Sequence, residues 1–110
     1  MRISITVSPN TPISAPASAT GNFIQSNKIS LERVIILRGH AYLTGIQIHA
    51  GRRGDTIVPA PGSNTNWISG DGDTLEYHYE VPIEPIQNTV KVFAYNLDDT
   101  YPHTFFVDIE

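Results

Sequence analysis

A chain of 110 residues and 12.1 kDa has room for one domain around one core, and 40% apolar against 16% charged residues is the balance of a folded chain. It has no cysteine, which excludes a disulfide framework, thiolate metal sites and thiol nucleophiles. A net charge of −4 with only two lysines argues against nucleic acid as a partner, and no apolar run approaches the ~20 residues that span a bilayer.

Ile3, Ile5 and Val7 alternate with Arg2, Ser4, Thr6 and Ser8, the period of a half-buried strand, and the run meets Pro9 too soon to be the apolar core of a signal peptide. Residues 9–22 hold Pro9, Pro12 and Pro16 among small, uncharged residues. Proline cannot donate to the middle of a ladder, so this stretch reads as an extended arm ending at Gly21-Asn22. Strand formers run from Phe23 to Leu37, break at Gly39 and resume from Ala41 to His49. A turn over Gly51 to Gly54 leads to a short strand, Thr56-Ile57-Val58, and a loop from Pro59 to Asn64. Trp67-Ile68-Ser69 then precedes Gly70-Asp71-Gly72-Asp73, a hairpin signal, and Leu75 to Val81 alternates cleanly. Beyond the connection Pro82 to Asn88, Val90 to Tyr95 and Phe105 to Ile109 are the last strands. Roughly seven to nine short strands with frequent turns and no amphipathic helix predict an all-β chain, a single antiparallel β-sandwich of jelly-roll or immunoglobulin-like form.

Charge is unevenly placed. Residues 1–54 carry six bases against one acid, and residues 55–110 one base against ten acids, +5 and −9. Basic and acidic strands that pair within one sandwich would cancel this locally, whereas separate patches would favour docking with a like subunit.

Each candidate site has a simpler reading beside it. Arg53-Gly54-Asp55, with Arg52, could offer a guanidinium and a carboxylate to a receptor, but all are common turn residues. Asp71, Asp73, Glu76, Asp98 and Asp99 suggest calcium, yet they lack the spacing of a calcium loop and suit turns as they stand, so no metal is expected. His40, His49, His78 and His103 contain no closely spaced ligand pair, and no Gly-x-Ser-x-Gly is present, so no catalytic residue is assigned. Among Trp67, Tyr77, Tyr79, Tyr95 and Tyr101, a sugar-stacking platform competes with core packing. Tyr77 and Tyr79 share the face of Leu75 and Val81, which favours core, and Trp67 is expected to be a largely buried anchor.

From about Leu43 to Ile109 the chain reads Gly45-Ile46-Gln47-Ile48, Thr56-Ile57-Val58-Pro59, Asn66-Trp67-Ile68-Ser69-Gly70-Asp71, Ala94-Tyr95-Asn96-Leu97-Asp98-Asp99 and Pro102-His103-Thr104. This pattern resembles small β-sandwich structural proteins of tailed phages and related prokaryotic viruses, which decorate or cement a capsid surface. The resemblance implies a non-enzymatic virion protein without cofactor, at the virion surface. Its partners would be capsid or other virion proteins and like copies in an oligomer or lattice, and neither nucleic acid nor membrane. Pro9, Pro12 and Pro16 of the arm, with Arg52, Arg53 and Asp55, are the candidate contacts. The alternative is a carbohydrate- or receptor-binding sandwich that uses loop aromatics.

Overall fold

The computed structural model describes residues 1–22, 29–50, 56–58, 66–83 and 89–110. Among them are eight strands and no helix: β1 (Arg2–Val7), β2 (Ala17–Asn22), β3 (Ile29–Ile36), β4 (Thr44–His49), β5 (Thr56–Val58), β6 (Asp73–Ile83), β7 (Thr89–Asn96) and β8 (His103–Ile109). The first sheet has the order β1-β8-β3-β6 and the second β2-β7-β4-β5, with every pairing antiparallel. One rule generates this order. The first strand lies beside the last, the second beside the seventh, the third beside the sixth and the fourth beside the fifth, and successive pairs go to alternate sheets. A long hairpin rolled up in this way is a jelly roll, one of the two arrangements that the strand pattern allowed.

Alternation decides which side of each strand is buried. Ile3, Ile5 and Val7 of β1, Val34 and Ile36 of β3, and Phe105, Val107 and Ile109 of β8 point inward from the first sheet. Ile46 and Ile48 of β4 and Val90, Val92 and Ala94 of β7 meet them from the second. Each such branched side chain contributes about 1.5–3 kcal/mol by leaving water. Both ends of the chain are tied into the first sheet, where the Met1 ammonium donates to the Ile109 carbonyl at 2.8 Å.

The arm expected over residues 9–22 is shorter than the prolines suggest. Only residues 9–16 form a connection, and Ala17–Asn22 is β2, an edge strand in register with β7 from Ala17↔Ala94 to Asn22↔Thr89. Its small residues disguised it, and its edge position explains why three prolines can stand just before it. The side chain missing at Gly21 gives its space to Ile3, which lies 2.7 Å from where a Cβ would stand, so β1 closes against β2 on this flank.

Gly70-Asp71-Gly72-Asp73 is not a hairpin. Ile68 exchanges backbone hydrogen bonds of 2.9 and 3.0 Å with Ile46 in the second sheet, whereas Asp73 opens β6 in the first. The segment therefore carries the chain from one sheet to the other. Gly72 takes the left-handed conformation the crossover needs (φ 70°), and the Asp73 carboxylate accepts the Asp71 amide at 2.9 Å.

Part of the uneven charge is paired across the outer face of the first sheet. Arg2 makes a two-pronged pair with Asp108 (2.6 and 3.0 Å), and Arg33 binds Glu76 at 2.9 Å and reaches Asp108 at 3.9 Å. The register sets Arg2 opposite Asp108, Asp108 opposite Arg33, and Arg33 opposite Glu76, so one row of alternating sign crosses all four strands. Exposed pairs of this kind add little stability, but they penalise a slipped register.

Glu32 breaks the pattern. It lies on the inward face of β3 with Val34 and Ile36, fully buried, and Tyr79 donates to its Oε2 at 3.2 Å while Oε1 has no partner. Burial pushes this carboxyl from its ordinary 4.5 up to about 7, against the opposing pull of the Tyr79 hydroxyl. Between these values the folded chain holds a proton that the unfolded chain has released, so stability falls as pH rises through the window and levels off above it. Urea unfolding at about pH 5 and about pH 8 should show a loss on the order of 3 kcal/mol in the wild type. Glu32→Gln should be nearly flat over this window; equal slopes for the two proteins would refute the assignment.

Candidate functional site

At one end of the sandwich β1, β3 and β7 finish and β2, β4, β6 and β8 begin. The connections 8–16, 37–43, 69–72 and 97–102 gather there and are stitched into one cap. Asn10 donates its amide to Asp98 O (2.9 Å), Thr11 and Asn96 exchange backbone bonds (2.9 Å), Leu97 donates to Leu43 O (2.8 Å) and Tyr42 to Gly70 O (3.2 Å). The Asp71 carboxylate accepts the Gly39 amide at 2.6 Å and the Ala41 amide as well, and these two bonds hold it below the usual carboxylate range.

Beneath the cap lies a buried polar network. His40, Thr44 and Asn96 are three of the five buried polar residues among those described, and all three support this end. His40 Nε2, 3.1 Å from the Thr104 carbonyl, must carry the ring proton, and Nδ1 then accepts from Thr44 Oγ1 at 2.6 Å. Burial, then the nearby His103, lowers the His40 pKa and so favours the neutral ring. The Asn96 amide nitrogen donates to the carbonyls of Val7 (3.1 Å) and Tyr101 (2.9 Å), and its oxygen accepts the Asp98 amide (2.9 Å). Asp98 in turn binds His103 Nε2 (2.8 Å) and the amides of Thr100 (2.9 Å) and Tyr101 (3.3 Å), and the His103 bond comes first in holding its pKa down. His103 and Phe105 lie 4.6 and 4.7 Å from the His40 ring, centroid to centroid. A network satisfied at so many points fixes the loops in one arrangement.

That arrangement is strained and apolar on its outside. Asn10, Ala41 and Tyr42 have positive φ (57°, 50° and 60°), which costs about 1–2 kcal/mol for each residue with a Cβ. Such conformations persist only where the surroundings over-determine them. Among the described residues seven large apolar side chains are exposed, and six of them, Ile13, Leu37, Tyr42, Leu43, Leu97 and Tyr101, belong to this end. Tyr42 and Tyr101 stand furthest into water, at 69% and 66% exposure.

The residues singled out in the sequence fare differently. Pro9, Pro12 and Pro16 belong to the connection 8–16 and so to this cap. Arg52, Arg53 and Asp55 lie outside the described residues. Trp67 is partly buried, with its ring edge-on to Tyr95 at 5.1 Å. Alternation sets its direction: Ile68 takes the core position, and Trp67 faces the outer side of the second sheet, where it meets Tyr95. Beside it Gly45 stands opposite Tyr95, whose ring covers the glycine so closely that a side chain there would overlap it. Tyr77 and Tyr79 pack against the core, as their alternation indicated. His49 stacks edge-on against Phe93 at 4.7 Å, and His78 lies 3.3 Å from Glu76. Among the described residues no three metal-ligating side chains converge.

No family model matches the chain, and no curated protein does. Among solved structures it is similar to the pre-peptidase C-terminal domain of a collagenase from Bacillus anthracis. The likeness covers 100% of this chain and 88% of that one, with 12% identity and a TM-score of 0.51. At that identity it speaks for the β-sandwich fold alone.

If Asn96 holds the cap together, Asn96→Ala should lower unfolding free energy by about 2–4 kcal/mol, because three backbone groups lose their partner. Hydrogen exchange should quicken first at the amides of Thr11, Leu97 and Asp98. Uniform quickening over the whole sandwich would argue against a local role.

Proposed function

We propose that this protein is a non-enzymatic attachment module that docks through its loop end, as a structural protein decorating or cementing a capsid surface. The observation that carries the reading is the concentration of exposed apolar side chains on loops that a buried network already holds. Preformed loops lose little freedom on binding, and exposed tyrosines are the material of protein–protein hot spots, with the leucines around them serving to exclude water. The resemblance of residues 43–109 to capsid-decorating sandwiches supplies the class of partner. The connection 8–16, with its prolines, contributes Ile13 to the same surface. A second reading, a glycan- or receptor-binding module, draws on the two exposed tyrosines, which can stack on a sugar ring.

Co-sedimentation with shells assembled from the major capsid protein of the same genome tests the proposal. The wild type should pellet with the shells, and Tyr42→Asn with Tyr101→Ser should weaken binding at least tenfold (about 1.4 kcal/mol or more) at unchanged melting temperature. Asparagine is chosen because it tolerates the left-handed backbone at position 42. Absence of shell binding by the wild type, with tyrosine-dependent signals on a glycan array, would favour the second reading and overturn the first.

A further inference from the structure

A separate surface points to a partner of its own. β6 is an edge strand of 11 residues that pairs, among the described residues, with β3 alone. On the same flank the second sheet ends in β5, of only 3 residues. The opposite flank is where Ile3 closes β1 against β2. A long unpaired edge offers a row of backbone donors and acceptors, and sandwiches usually protect such an edge with charge. Here the charges are ordered: Thr74, Glu76 and His78 stand exposed on the outer face, and Leu75, Tyr77 and Tyr79 are half-buried on the inner one.

We propose that β6 is a homodimer edge, pairing antiparallel with β6 of a second copy about a two-fold axis through Tyr77. Residues directly opposite each other in an antiparallel pair lie about 4.5–5.5 Å apart at Cβ. With the axis at Tyr77, Glu76 of each copy faces His78 of the other, and Leu75 faces Tyr79 on the inner side. The neighbouring registers that keep the two outer faces together are discouraged. An axis at residue 76 sets Glu76 against itself. An axis at residue 78 sets His78 against itself and Glu76 against Glu80. Within one chain Glu76 already holds Arg33 of β3 through Oε1 at 2.9 Å and His78 through Oε2 at 3.3 Å, so pairing across the axis would exchange the His78 contact between the two copies while Arg33 keeps the carboxylate in place. His78 is 69% exposed at its side chain and is the one base on the outer face of β6 among the described residues. The pairing joins two four-stranded sheets into one of eight strands, an isologous contact that uses the same patch twice. Because the strands run antiparallel, the two apolar loop ends point in opposite directions. The dimer would therefore bridge two surfaces and not grip one twice.

A charge-swap experiment tests this. Sedimentation velocity of the wild type should show a concentration-dependent dimer. His78→Glu and Glu76→Lys, each alone, should weaken dimerisation at least tenfold, and His78→Lys should retain it. A one-to-one mixture of the His78→Glu and Glu76→Lys chains should recover a heterodimer, since the two substituted positions then face each other as carboxylate against ammonium and Glu76 faces His78 as in the wild type. Circular dichroism melts confirm that the variants are folded. A wild type that remains monomeric up to roughly millimolar concentration, where only the weakest pairs would escape notice, overturns the proposal. So does a mixture that associates no better than its components, or a dimer indifferent to all three substitutions.

Discussion

Pairing between strands far apart in the chain is the constraint on which the rest of the structure depends. β1 bonds to β8, β2 to β7 and β3 to both β6 and β8, so no sheet exists until most of the chain has been gathered. Loop-closure entropy must be met before these contacts repay it, which makes such a topology slow to form and cooperative once formed. The same nesting sets the charge distribution. The register brings two bases of the first half, Arg2 and Arg33, beside two acids of the second, Asp108 and Glu76, in a row of alternating sign.

Alternation was the part of the fold most readily legible in the sequence. Leu75, Tyr77 and Tyr79 share one face in the structure as in the pattern, and Ile3, Ile5 and Val7 are buried in turn. Elements without large apolar residues were opaque. Ala17 to Asn22 has too little side chain to show a period, and its partner β7 lies some seventy residues away. Turn chemistry was legible as a turn but not as a destination: Asp71-Gly72 bends the chain equally well into a hairpin or between sheets, and the pairing of Ile68 with Ile46 decides between them.

The polar interior was harder still to foresee. His40 and His103 look unrelated along the chain, and only the registers of β4 with β7 and of β3 with β8 bring their loops together. Asn96 carries no local mark beyond the Asp98 that follows it. Glu32 sits where the alternation calls for an apolar residue, and a carboxyl read from sequence is ordinarily placed in water. These residues depart from the rule that fills cores with hydrocarbon. His40 and Asn96 lie under the strained loops, where a unique conformation matters more than maximal stability.

The closeness of the two chain ends has a mechanical consequence. With the Met1 ammonium bonded to the Ile109 carbonyl, β1 and β8 begin and finish side by side at the pole opposite the apolar cap. Tension applied between the termini would peel β1 from β8 one bond at a time, like a zip. A load running from the cap to the termini instead lies along the strands and shears a whole ladder at once, so the same sandwich is weak along one line of force and strong along the other.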